Sequence, residues 1–143
     1  AYLIDAMKER GKGNAAPVLR FEPAGAAGVG PLGLRIMREA SVSSPLTLDA
    51  WVFDDGLPKR AGRPSRPTVT WSRFRGPGKV TFGSERVEVD DKSHKATTTA
   101  TFGLPGDYTL RALVQDGSNM SDQCCFTNGY VIVRVNAATA SRP

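Results

Sequence analysis

Hydrophobic and polar residues alternate along much of this chain with a period of two, the repeat of half-buried β-strands. The clearest case is TTTATFGLPGDYTLRALVQD at 97–116. Before its Pro-Gly corner, Ala96, Thr98, Ala100 and Phe102 alternate with Thr97, Thr99 and Thr101; after it, Tyr108, Leu110, Ala112 and Val114 alternate with Thr109, Arg111, Leu113 and Gln115. Two strands joined by a tight turn follow from this pattern. In LTLDAWVF (46–53), Leu46, Leu48, Ala50 and Val52 form a core-facing set, which leaves Trp51 and Phe53 on the outer face. TVTWSRF (68–74) is a further strand with Trp71 in the core, KVTF and RVEV are short strands, and YVIVRVN (130–136) turns Val131, Val133 and Val135 inward. Tyr130 and Ile132 then point outward. APVLRF (16–21) reads as a first strand with Pro17 at an edge, where no ladder donor is needed. Residues 33–40 fit a strand or a helical turn, EPAGAAGVGPLG before them reads as a loop, and Gly-Pro-Gly at 76–78 as a turn.

AYLIDAMKER at the start has helical spacing, with Tyr2, Leu3, Ala6 and Met7 on one side. The expected fold is all-β: an immunoglobulin-like antiparallel β-sandwich of about seven strands with a short N-terminal helical extension. The expected divisions are a helical extension and linker over 1–15, the sandwich over 16–136 and a flexible tail over 137–143. A chain of 143 residues supports one well-buried core, and 15 Gly with 10 Pro suit a turn-rich β domain. No stretch approaches the ~20 apolar residues of a membrane-spanning helix. The chain opens on Ala1 without a visible signal peptide, which leaves its compartment open.

Three segments, VTWSRFRGPGKVTF, ATTTATFGLPGDYTLRALVQDG and YVIVRV, together resemble PKD-like and related bacterial immunoglobulin-like modules. In such modules a strand with a core Trp runs into a Gly-Pro turn, and a Phe-x-x-Pro-Gly-x-Tyr-x-Leu-x-x-x-Val-x-Asp pattern covers the last hairpin. The resemblance spans about residues 46–136. It implies a corner role for Tyr108, whose hydroxyl would tie back to nearby backbone. It also implies an extracytoplasmic adhesive, spacer or assembly module rather than an enzyme. The adjacent cysteines, the basic insert near 58–67 and the N-terminal helix depart from the pattern.

The chain carries a net charge of +5, which raises the question of a polyanionic partner. Its basic residues are scattered, and this argues against nucleic acid. The one local concentration is Lys59, Arg60, Arg63 and Arg66, read either as a solvated loop or as a polyanion site. Cys124 and Cys125 are adjacent, and Cα atoms ~3.8 Å apart lie below the usual disulfide range. The pair therefore forms a strained vicinal bridge or two free thiols, or bonds another chain or a soft metal. Asp54 and Asp55 follow one strand, and Asp116, Asn119 and Asp122 follow another; connections at one end of a sandwich could bring these oxygens together on Ca²⁺. The competing explanation is ordinary turn chemistry. No other cofactor is indicated, and there is no P-loop, nucleophile elbow or His-Glu-x-x-His motif.

The leading expectation is a non-catalytic interaction or assembly module of an exported bacterial protein. Its candidate partner contacts are Trp51, Phe53, Leu113, Tyr130 and Ile132, the last three on neighbouring strands. The alternative is an accessory domain that stacks a carbohydrate ring on Trp51 or Tyr130 and binds Ca²⁺ through the Asp groups. Polyanion binding by the 59–66 loop is the third expectation.

Overall fold

A computed structural model of the chain describes residues 16–31, 33–53, 66–116 and 126–138. Ten strands run in order: β1 (Val18–Arg20), β2 (Ala27–Val29), β3 (Leu34–Ser41), β4 (Leu46–Phe53), β5 (Thr68–Arg75), β6 (Val80–Phe82), β7 (Arg86–Glu88), β8 (Lys95–Phe102), β9 (Gly106–Gln115) and β10 (Phe126–Asn136). They form two five-stranded sheets, β2-β1-β4-β8-β6 and β3-β10-β9-β5-β7. With β1, β4, β5, β6, β8, β9 and β10 as strands A to G, the two sheets contain the A-B-E-D and C-F-G orders of an immunoglobulin-like sandwich.

Alternation decides the core. Leu48, Ala50 and Val52 from β4, Ala96, Ala100 and Phe102 from β8, and Tyr108, Leu110, Ala112 and Val114 from β9 are buried. Val131, Val133 and Val135 of β10 join them, and Trp71 of β5 packs its ring 6.2 Å from that of Phe21. Both sheets thus meet through the inward face of the expected pattern. At one pole, the Tyr108 hydroxyl donates to the Leu104 carbonyl at 2.7 Å, forming the tyrosine corner. The Gly-Pro-Gly turn closes over the same ring: a Cβ on Gly76 would overlap Tyr108, and one on Gly78 would sit 2.6 Å from its hydroxyl. Glycine is needed at 76 for its φ of 153° and for this close approach.

Three expectations are corrected. Among the described residues the strand number is ten rather than about seven, because β2 forms inside the glycine-rich stretch read as a loop, and β3 resolves the ambiguous segment as a strand. Gly28 of β2 lies against Leu34 and the backbone of Gly33, so packing stabilises a segment with little strand propensity of its own. The sandwich is also not wholly antiparallel, since β3 pairs with β10 in parallel from Leu34↔Gly129 to Ser41↔Asn136. Finally, β10 begins four residues before Tyr130. Its first turn of sequence is fixed by polar contacts: the Thr127 hydroxyl donates to the Pro17 carbonyl and accepts from the Gly30 N–H, while Asn128 Nδ2 donates to the Pro31 carbonyl. The helix expected within 1–15 lies outside the described residues.

Candidate interaction face

The five residues expected to touch a partner fall on opposite sides of the molecule. Trp51 and Phe53 stand on the outer face of the first sheet, on β4. Lys95 Nζ lies 5.1 Å from the Trp51 ring centre, and His94, held in a turn with φ of 61°, stacks on Phe53 at 4.7 Å. A neighbouring side chain therefore takes up one face of each ring. Leu113, Tyr130 and Ile132 stand together on the outer face of the second sheet, where Tyr130 is opposite Arg111, Ile132 opposite Thr109 and Leu113 opposite Asn128.

Two further apolar side chains extend that second group. Met37 of β3 is aligned with Ile132 and is 75% exposed. Phe74 of β5 is 51% exposed and meets Tyr130 edge-on at 5.5 Å. Alternation alone places neither: residues 33–40 fit a strand or a helical turn, and the β5–β9 register shifts between Arg73 and Arg75, placing Phe74 at an irregularity. Met37 of β3, Ile132 and Tyr130 of β10 and Phe74 of β5 thus form an apolar band, its Tyr130–Phe74 contact reaching over the intervening β9. Guanidinium groups border it: Arg35 lies 5.0 Å from the Tyr130 ring centre and Arg75 lies 5.5 Å from that of Phe74. Arg111 Nε donates to Asn128 Oδ1 at 3.0 Å, and this bond fixes the arginine beside Tyr130.

The remaining candidates are only partly described. Asp54, Asp55, Asn119, Asp122, Cys124, Cys125, Lys59, Arg60 and Arg63 lie outside the described residues. Asp116 is fully buried at the end of β9. The Thr127–Pro17 bond and the Val18↔Phe53 and Thr127↔Val114 pairings place it at the same pole as Phe53. Among the described residues, no group of three or more His, Cys, Asp and Glu side chains is arranged to hold a metal. Arg66 lies 3.4 Å from Glu88 and 3.7 Å from Asp91, so two carboxylates answer its charge locally.

No family model matches the chain. No curated protein matches it either. Among solved structures, the N-terminal domain of PorA is similar, with a TM-score of 0.54 at 10% identity over 86% of this chain and 99% of that one. This likeness, with the strand order and tyrosine corner, defines an immunoglobulin-like β-sandwich. PKD domains and Intimin immunoglobulin-like domains are also among the structural neighbours. The PKD domain from KIAA 1837 protein has a TM-score of 0.42 and 17% identity over 85% of this chain and 99% of that one. The D0-D1 domain of Intimin has a TM-score of 0.43 and 19% identity over 68% of this chain. The chain spans 43% of the Intimin structure.

Proposed function

We propose that this domain is a non-catalytic interaction or assembly module of an extracytoplasmic bacterial protein, docking a protein partner on the outer face of its second sheet. The observation that carries the reading is the Met37–Ile132–Tyr130–Phe74 band, whose two outer members are more than half exposed although both are large and apolar. Such side chains, with Tyr and Arg among them, are the composition of interface centres. The resemblance to PKD-like modules supports the assignment to an assembly protein and to an extracytoplasmic location: periplasm, cell surface or secreted.

The test replaces Tyr130 and Ile132 by Ser together. Both side chains lie half-buried on the outer face and outside the core, so the fold should persist with a lowered thermal transition while the assembly containing the full chain dissociates or shrinks in size-exclusion light scattering. Unchanged association with an intact fold would sink the reading. Recovery of the full chain in the cytoplasmic fraction of lysed cells would count against its extracytoplasmic location.

A further inference from the structure

The charges around the apolar band are sorted in a way that selects its partner. The outer face of the second sheet carries Arg35, Arg75, Arg86, Arg111 and Arg134. No lysine stands there among the described residues: Lys79 precedes β6, Lys92 lies in the turn before β8, and Lys95 is on β8 of the other sheet. The acids of the face are confined to its two ends. Glu39, Arg134 and Asp107 share the row at one end, where Arg134 and Asp107 are 3.5 Å apart, and Glu88 at the other end is engaged by Arg66. The central rows contain four arginines and no acid. Among the described residues, none of Arg35, Arg75 and Arg86 forms an ion pair.

We infer, on the basis of the docking face proposed above, that its partner is an acidic protein segment in which Asp or Glu side chains flank an aromatic or aliphatic anchor. The anchor would lie on Tyr130, Phe74 and Ile132, and the carboxylates would reach Arg35, Arg75 and Arg111. Arginine suits this task because its planar fork offers two parallel N–H donors to one carboxylate and stacks on aromatic rings, whereas lysine is a strongly hydrated point charge. Arg35 and Arg75 already lie against Tyr130 and Phe74, and Arg111 is held by Asn128, so part of the ordering needed for binding is present in the domain itself. A second copy of the chain does not fit the face. Two such faces pressed together would bury four central arginines from each side with no acid among them. A duplex phosphate backbone would leave the apolar band unused, and the bases of a single strand would stack on Tyr130 and Phe74 but leave the aliphatic Met37 and Ile132 without an anchor.

The experiment pans an unbiased displayed peptide library on the full chain, with a mixed-sequence single-stranded oligonucleotide and self-association measured in parallel. The expected result is enrichment of peptides with Asp or Glu beside Phe, Tyr, Leu or Trp. Binding of a synthesised winner should fall with added salt, and should weaken roughly tenfold or more in Arg35→Gln and in Arg111→Gln. Winners without acids, winners indifferent to these variants, or no enrichment would overturn the inference. Oligonucleotide binding abolished by the same variants would reassign the face to nucleic acid, and dimerisation abolished by Tyr130→Ser would reassign it to a second copy. The docking face and its acidic partner can fail separately. Assembly that survives the Tyr130/Ile132 double substitution removes the face, whereas assembly lost there but intact in Arg35→Gln/Arg75→Gln/Arg111→Gln removes only the acidic partner.

Discussion

Tyr108 shows how one side chain joins two turns. Its ring packs 4.8 Å from Phe102, its hydroxyl bonds the Leu104 carbonyl, and Gly76 and Gly78 lie against it without room for a Cβ. Tyr108→Phe keeps the ring and loses the bond, so chemical denaturation should show a loss of about 0.5–1.5 kcal/mol. Gly76→Ala must both overlap the ring and adopt a strained φ, and should cost about 1–3 kcal/mol in the same assay. Asp90 holds the turn before β8: its Oδ2 accepts from the Ser93 N–H at 2.7 Å, the Ser93 hydroxyl at 2.8 Å and the Lys92 N–H at 3.2 Å. The Ser93 backbone bond, then the Ser93 hydroxyl, hold its pKa below the ordinary 3.8, with smaller help from Lys92 and the charge of Arg66. A depressed carboxylate contributes stability above its unfolded value and loses it as the pH falls through its folded value. Asp90→Asn should therefore flatten the part of the acid unfolding curve below the ordinary carboxylate range, seen as a smaller wild-type advantage at low pH than at neutrality.

At the scale of elements, the parallel β3–β10 pair determines which backbone groups are committed. The Val42 N–H donates to the Asn136 carbonyl, and alternation back along β3 turns the Ile36 N–H toward β10 and the Met37 N–H toward the open edge. Ile36→Pro should cost about 1–3 kcal/mol by leaving a ladder carbonyl without its donor, while Met37→Pro should cost much less; paired thermal melts check the difference. Strands β4, β5, β8 and β9 were legible in the sequence because each has one buried and one solvated face, which imposes a period of two. β2 and β3 were not. The first is short and glycine-containing, and the second lies at a sheet edge where Arg38 at an inward position and Met37 at an outward one break the period of two. Such edges carry charges because an uninterrupted apolar edge would invite pairing with another chain.

At the scale of the whole molecule, the two tryptophans report on different surroundings: Trp71 is buried in the core between the sheets, and Trp51 is half-buried under Lys95. In Trp51→Phe the remaining emission should be blue-shifted and poorly quenched by acrylamide, and its unfolding midpoint should coincide with that of the far-ultraviolet circular dichroism, because one core joins both sheets. Separate midpoints would show that the sheets do not unfold as a unit. The corner position of Tyr108 was implied by the resemblance to PKD-like modules, whereas the sequence by itself determined the β class, the inward rows of β4, β8, β9 and β10 and the core position of Trp71. These depend on local alternation and turn chemistry, which neighbouring residues specify. Only the tertiary structure decided that Trp51 and Phe53 lie on the opposite side from Leu113, Tyr130 and Ile132, that Met37 and Phe74 extend the latter group, and that arginines without acids surround its centre. Period two says that a residue faces outward, but sheet membership, strand order and register decide which outward residues become neighbours.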